Sequence, residues 1–462
     1  MNNLTQVIAA VSTPPGKGGV AIIRMSGEGA FRIADKVFFP LSKKMFSSCE
    51  ARKQIYGHIV DGGEKIDDVL ATRFPAPHSY TGEDTVEIAC HGGILVTATV
   101  LETLLRAGAV HATAGEFTRR AFINGRMGLT EAEAIADLLE ARSREQIRLS
   151  SDTARTRLAG KVSNIRSSLV DLMSSIYARI DYPDEDLGDF SDEEVEKRLY
   201  IIKEECKSLL KTYNTGKAVS EGVKTVICGK PNVGKSSFYN LLCGEEAAIV
   251  TDIEGTTRDV LVRSVPFGKI MLQIADTAGI RHTDSIDKVE QIGIEKSRQM
   301  IEKCELLFAI FDNSREFDEE DKLLLDEIKI TDAPKIAIIN KSDLTGKLDK
   351  EKLALSFDYI VEMSAKEETG LDTLSALTDK LFTDEKIVIG EDAVISSARQ
   401  HAALKRCLDF VSAAAESLDL GFSQDAASSD IERALGAISE LDGRSVSEEI
   451  VSDIFSKFCV GK

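Results

Sequence analysis

Residues 229–237 read GKPNVGKSS, and this stretch restricts what the chain can fold into more than any other. It fits G-x-x-x-x-G-K-[ST], with Gly229, Gly234, Lys235 and Ser236 at the fixed positions. The apolar run Val226-Ile227-Cys228 before it predicts a strand, and Phe238-Tyr239-Asn240-Leu241-Leu242 after it predicts the start of a helix. That context suits phosphate binding, because backbone N–H groups at a helix N-terminus converge on anionic oxygens. Asn232, Val233, Gly234, Lys235, Ser236 and Ser237 then form a phosphate cradle, with Lys235 supplying positive charge and the Ser236 hydroxyl a ligand for Mg²⁺.

Three further segments follow in order, each after an apolar run. Asp276-Thr277-Ala278-Gly279 comes after 270–275, where Asp276 can hold the metal's water shell and the Gly279 N–H a γ-phosphate. Asn340-Lys341-Ser342-Asp343 follows 336–339, and Ser364-Ala365 follows 359–363. A carboxylate at Asp343 can accept from both the ring N–H and the exocyclic amine of guanine. Adenine has no such donor pair at that edge, so the set predicts GTP rather than ATP. The predicted fold of this part is an α/β P-loop domain within a multidomain α/β chain.

The residue after Gly279 is Ile280, which can neither position an attacking water, as a glutamine would, nor neutralise charge, as an arginine finger would. Charge must come from elsewhere. Asn232 lies within the loop, and Thr251-Asp252-Ile253-Glu254-Gly255-Thr256-Thr257 is rich in oxygen donors. Either Asn232 helps to hold a monovalent cation beside the phosphates or it only shapes the loop.

Composition sets the outer limits. The 462 residues predict about three domains. With no signal peptide and no bilayer-length apolar run, the chain is expected to be soluble and cytoplasmic, with no membrane contact. Its eight cysteines show no C-x-x-C pair, which argues against a zinc site or a disulfide framework. A formal net charge of −19 makes the chain a poor general binder of phosphate backbones. If it acts on RNA, a partner or a local patch must carry much of the contact.

Strand-like runs at 20–23 and 84–89 predict a small α+β domain over residues 1–118. Val162, Ile165, Leu169, Leu172, Ile176 and Ile180 recur at spacings of three and four, predicting a helix with one apolar stripe. An acidic turn at 183–186 ends it, and Ser191 with Glu194 reads as a capping box. The polar stretch 214–222 leads into the nucleotide domain, and helical pattern resumes near Thr378. The expected plan is a helical domain in two parts, 119–215 and 378–462, with a Ras-like GTPase domain, 216–377, inserted between them.

The segments GKPNVGKSS, IVTDIEGTTRDV, DTAGIR, VEQIGIE and NKSD resemble the MnmE (TrmE) family of tRNA-modification GTPases. So do STPPGKGGVAIIRMSG, SYTGEDTVEIACHGG and AGEFTRRAFINGRMGLTEAEAIADL, together with the C-terminal FCVGK, so the resemblance covers nearly the whole chain. It implies Mg²⁺ at Ser236 and Thr257, and K⁺ near Asn232, Thr251, Ile253 and Thr256. Glu290 takes the place of the family's catalytic carboxylate, although sequence alone also allows a solvated residue at a helix start. Arg24, Glu87, Arg126 and Lys462 match positions that hold a tetrahydrofolate derivative, the one-carbon donor, in the N-terminal domain. At Arg126 the family more often carries Lys. Cys459 either faces the one-carbon chemistry or is a small buried hydrophobe.

The resemblance further implies a homodimer formed by the N-terminal domain and a complex with the flavoprotein MnmG. FAD and NADH would come through that partner, and the complex would modify the wobble uridine of tRNA at C5. Two alternatives share part of the pattern. One is a ribosome-assembly GTPase of the Era/EngA type, which the acidic balance disfavours; the other is a GTP-regulated, folate-dependent one-carbon transferase.

Overall fold

A computed structural model of the chain describes residues 5–181, 192–244, 262–275 and 298–462. The chain divides into two compact units, 1–139 with 435–462, and 140–434. Among the described residues no helix is long and apolar enough to cross a membrane.

In the first unit seven described strands form one sheet: β1 (Ile8–Val11), β2 (Ala21–Ser26), β3 (Phe38–Pro40), β4 (Ile55–Asp61), β5 (Glu64–Phe74), β6 (Thr85–Cys90) and β7 (Val110–His111). Their order is β3-β4-β5-β6-β2-β1-β7. The runs expected at 20–23 and 84–89 are β2 and β6, paired antiparallel with Arg24 opposite Glu87. Inward residues of the sheet alternate, as Ile23 and Met25 or Val86 and Ile88 do, and meet helices Ala30–Val37 and Ile94–Arg106 in one core.

A buried ionic knot holds helix Glu116–Ile123 to this sheet. Arg120 is 1% exposed and faces both Glu83 and Glu116. Its Nη1 donates to the Gln6 carbonyl at 2.9 Å and to Glu83 Oε2 at 3.2 Å, and its Nη2 to Glu116 Oε1 at 3.0 Å. Glu83 also accepts from Ser26 Oγ at 2.8 Å, and Glu116 from the Thr113 N–H at 2.8 Å. Breaking such a pair strands the remaining charge, at a cost of about 3–5 kcal/mol.

The far end of the chain belongs to this same unit. Helix Glu448–Ser456 packs Ile454 and Phe455, with Phe458 beyond it, against Leu129 and Ala132. The last residues then meet the end of β1 and the start of helix Glu116–Ile123. Gly115 N–H donates to the Cys459 carbonyl at 3.4 Å, Phe117 N–H to the Lys462 carbonyl at 3.2 Å, and Ser12 Oγ to the Gly461 carbonyl at 3.0 Å. Gly461 sits at φ 101°, and a Cβ there would collide with the Val11 carbonyl. Only glycine fits.

The second unit holds helices and a second sheet. The predicted stripe is real: Val162, Ile165, Leu169, Leu172 and Ile176 are buried along helix Asp152–Asp181. The side chain of Ile180, the acidic turn and the Ser191 cap lie outside the described residues. That helix packs on Asp192–Lys211, which in turn packs on Ala398–Asp419.

The polar stretch 214–222 runs into β8 (Val223–Gly229), the first strand of the second sheet. Most of it is helix Tyr213–Ser220, with Thr215, Ala218 and Val219 buried. Gly216 lies so close to the Ile395 carbonyl that any side chain would clash, so packing overrides weak local preference.

Six described strands make the nucleotide sheet: β8 (Val223–Gly229), β9 (Val262–Phe267), β10 (Ile270–Ala275), β11 (Leu306–Asp312), β12 (Lys335–Asn340) and β13 (Tyr359–Glu362). The order is β13-β12-β11-β8-β10-β9, parallel except for the edge strand β9. Phe308 and Ile310 face one core with helices Lys235–Cys243 and Leu371–Phe382, whereas Leu307, Ala309 and Phe311 face the other. Both faces are covered, as apolar parallel strands require. The chain leaves β8 toward β10 on one side and returns to β11 on the other, so the carboxyl end of β8 is a topological switch point, where such sheets bind ligands.

Candidate guanine-nucleotide site

The loop after β8 is built for close approach to an anion. Gly229 and Gly234 take φ values of 145° and 100°, and Asn232 takes 64°. Asn tolerates this left-handed region better than most residues, so loop shape is one reason for Asn232. Gly234 caps helix Lys235–Cys243, and a Cβ on it would overlap Asn340 Nδ2. Ser236 and Ser237 are exposed in the first turn of that helix, where a hydroxyl can reach a metal or phosphate. Lys235 Nζ donates to the carbonyls of Gly229 at 2.8 Å and Lys230 at 2.5 Å, which holds its ammonium at the loop.

The loop after β12 is bound directly to the first. Asn340 Nδ2 donates to the Val233 carbonyl at 2.8 Å, and its Oδ1 accepts from the Ala365 N–H at 3.0 Å. One buried side chain therefore joins three loops. Lys341 Nζ donates to the Asn232 carbonyl at 3.1 Å. Asp343 is exposed and accepts from Ser364 Oγ at 2.6 Å, and this bond lowers its pKa, keeping it an acceptor at neutral pH. Ser342 N–H bonds the Met363 carbonyl at 3.1 Å, setting the base-reading segment against β13. Residues 232–237, 340–343, Ser364 and Ala365 thus come together. Thr251 to Thr257, Asp276 to Gly279 and Glu290 lie outside the described residues.

Two groups here were missed from the sequence. Lys230 is pinned by Asp318 at 2.7 Å and Asp321 at 2.8 Å, the same acids that form the capping box of helix Glu319–Glu327. Asp312, at the end of β11, is 2% exposed and accepts from Lys341 Nζ at 2.6 Å. The signal was available in Asp312, a carboxylate ending an otherwise apolar strand. Burial alone would raise its pKa, but the Lys341 ammonium and the Ser314 N–H and hydroxyl outweigh this and hold it below the ordinary value.

A pH dependence follows. Because the folded pKa is depressed, the contribution of Asp312 is complete above its unfolded value of about 3.9 and is lost as pH falls through the folded one. Asp312→Asn should lower stability at pH 7 by about 1–3 kcal/mol and flatten the acid limb below pH 4. Urea unfolding at several pH values checks this; an unchanged acid limb would refute it.

In the first unit, Arg24 lies against Glu87, its Nε 2.9 Å and its Nη2 2.8 Å from Oε1. Glu87 Oε2 has no recorded partner among the described residues. The Arg24 guanidinium lies 5.4 Å from the Tyr80 ring centre and 5.7 Å from that of Phe117. Phe117 is also the residue that holds Lys462. Arg126 is exposed, with its stem over Gly82. Phe117 is fully buried, so of these two rings only that of Tyr80 is partly exposed. Cys459 is exposed, which removes burial as its reason.

Residues 7–126 match the family model for the GTP-binding protein TrmE N-terminus, and residues 129–459 match the MnmE helical domain model. The second match alone spans most of the chain. The chain belongs to the MnmE family of tRNA modification GTPases. Among the curated members, tRNA modification GTPase MnmE of Thermotoga sp. is 41% identical over 460 residues, covering 98% of this chain and 99% of that protein. Those of Desulforamulus reducens and Clostridioides difficile are 38% and 36% identical, each covering 99% of this chain and 100% of theirs. The family's activity and the guanine-nucleotide loops described above agree: the protein is a GTPase with an N-terminal domain, a helical domain and a Ras-like nucleotide fold.

Proposed function

We propose that the chain hydrolyses GTP with K⁺ beside the phosphates, and that this cycle drives modification of the wobble uridine of tRNA at C5. It acts in the cytoplasm as a homodimer, with the flavoprotein MnmG bringing FAD and NADH. The observation that carries the reading is the joined pair of loops at the end of β8. There Lys341 occupies the Asn232 carbonyl while the exposed Asn232 side chain keeps its oxygen available. A monovalent cation held there, with carbonyls of Thr251, Ile253 and Thr256, would supply the charge that Ile280 cannot. Ser236 and Thr257 are the Mg²⁺ ligands, and Glu290 orients the attacking water. Arg24, Glu87, Arg126 and Lys462 hold the tetrahydrofolate derivative, whose one-carbon unit would reach the uridine past Cys459. Support for this comes from the Arg24–Glu87 pair, with the Arg24 guanidinium near the Tyr80 and Phe117 rings, and from the Lys462 carbonyl, which accepts from the Phe117 N–H. The domain limits 118/119, 215/216 and 377/378 belong to the same proposal.

GTP turnover in potassium against sodium at matched ionic strength tests the reading. Potassium should raise turnover at least tenfold, on the scale of a charge placed at the transition state. Because Asn232 sits at φ 64°, Asn232→Gly removes the side chain without backbone strain and is a cleaner variant than alanine. It should erase the potassium effect and leave GDP affinity nearly intact. Turnover indifferent to the cation, or a potassium effect that survives Asn232→Gly, would overturn the assignment.

A further inference from the structure

The chain carries a net charge of −19, yet residues 142–166 hold seven basic residues (Arg142, Arg144, Arg148, Arg155, Arg157, Lys161 and Arg166) and two acidic ones. Between Asp152 and Asp171 there is no acidic residue at all. The structure puts this run on helix Arg144–Leu149 and the first half of helix Asp152–Asp181. Ala154, Leu158, Val162 and Ile165 are buried, which turns Arg157 and Lys161 outward. These two lie four residues apart, one above the other on a single face, about 6 Å along the axis. Arg148 pairs with Glu145 and Arg155 with Asp152, whereas Arg142, Arg144, Arg157 and Lys161 are exposed with no ion pair recorded among the described residues.

The company these cations keep indicates the partner. Thr153, Thr156, Gly160, Ser163, Asn164 and Ser167 share the exposed side, all small and mostly hydrogen-bonding. Around Arg157 and Lys161 no large apolar side chain is exposed from residue 153 to 176; Ile147 on the preceding short helix and Tyr177 beyond are the nearest along the chain. A protein interface wants aromatic or apolar anchors at its centre. A sugar–phosphate backbone wants arginine forks, lysines and hydroxyl or amide donors, with no acid nearby. The strip also has a mechanical position. Gln146 Nε2 donates to the Ser220 carbonyl at 2.9 Å, at the end of helix Tyr213–Ser220, which leads straight into β8.

We propose that this strip, centred on Arg157 and Lys161 and continued along the chain by Arg142 and Arg144 on the segment that Gln146 ties to Ser220, holds the phosphate backbone of tRNA. It rests on the reading of the chain as acting on tRNA, and supplies the local patch that an acidic protein needs.

Binding of an unmodified tRNA transcript to the full-length protein, followed by fluorescence anisotropy from 50 to 200 mM KCl, tests it. Arg157→Glu with Lys161→Glu should weaken binding about tenfold or more and reduce the slope of log affinity against log salt by about 1.4–1.8, the share of two phosphate contacts. GTP turnover without RNA should not change. Lys197→Glu with Lys207→Glu, on helix Asp192–Lys211, makes the same change in net charge and should bind like the wild type. Equal loss in both pairs would reduce the strip to general electrostatics and overturn the proposal. So would unaltered tRNA binding in the first pair, including the case where only capture of a protein partner is lost. A wild-type protein that binds no tRNA even at the lowest salt would instead sink the tRNA reading itself.

Discussion

Replacing Lys235 with alanine should lower kcat/KM for GTP on the order of 10³-fold while leaving the fold in place. The ammonium is held at the mouth of the loop by the carbonyls of Gly229 and Lys230, where the terminal phosphates of a nucleotide must lie. Charge developing on those oxygens is stabilised by a preorganised cation, and losing one such group typically costs 10²–10³-fold, with phosphoryl transfer at the upper end (order of magnitude). The side chain packs no core, so thermal unfolding should shift little. Lys235→Arg should also fail, because a planar fork cannot replace a compact ammonium between two loop carbonyls. Steady-state turnover with nucleotide-binding titrations checks both; a near-normal Lys235→Ala enzyme would mean that phosphates bind elsewhere.

Asp343→Asn should change which base is accepted. An ionised carboxylate offers two acceptors to the N–H donors of guanine, and Asp343, its pKa lowered further by the Ser364 bond, is ionised at neutral pH. An amide offers one acceptor and one donor, so its NH₂ meets the guanine amine donor to donor. Xanthine carries a carbonyl in place of that amine and matches the amide. Sites that read a base by hydrogen bonds discriminate by about 10⁴–10⁵-fold, so the ratio of kcat/KM for XTP over GTP should rise by roughly that order. Competition kinetics with both nucleotides decides it. An unchanged ratio would show that Asp343 does not read the base.

Much of this was readable in the residues because the relevant physics is local. The loop 229–237 needs its glycines, lysine and serine in order along a few bonds, and the strand before it and helix after it follow from apolar patterning. The stripe from Val162 to Ile176 is set by helical period alone. The segment NKSD could be placed at a strand end, since β12 is an apolar run that stops at Asn340.

Other features depend on residues far apart in the chain. Helix Tyr213–Ser220 exists because Gly216 lies against Ile395, a contact with no trace in a polar local sequence. Asp312 acquires its meaning only when β11 lies beside β12 and brings Lys341 within 2.6 Å. Arg120 has no local mark that sets it apart from neighbouring Arg119, yet it is buried against Glu83 and Glu116. The basic strip of helix Asp152–Asp181 is a surface only because its apolar side is covered, which leaves Arg157 and Lys161 on the exposed side.

The sequence by itself determined the chemistry: a guanine-nucleotide loop set, its order along the chain, and membership of a tRNA-modifying GTPase family. Only the tertiary structure decided how those parts are held, seating the last residues beside Phe117 and tying the base-reading loop to the phosphate loop through Asn340 and Lys341. Motifs are short because the groups that grip one ligand sit on neighbouring residues. The bonds that hold those motifs to one another close over long stretches of chain, and long-range closure is decided by packing.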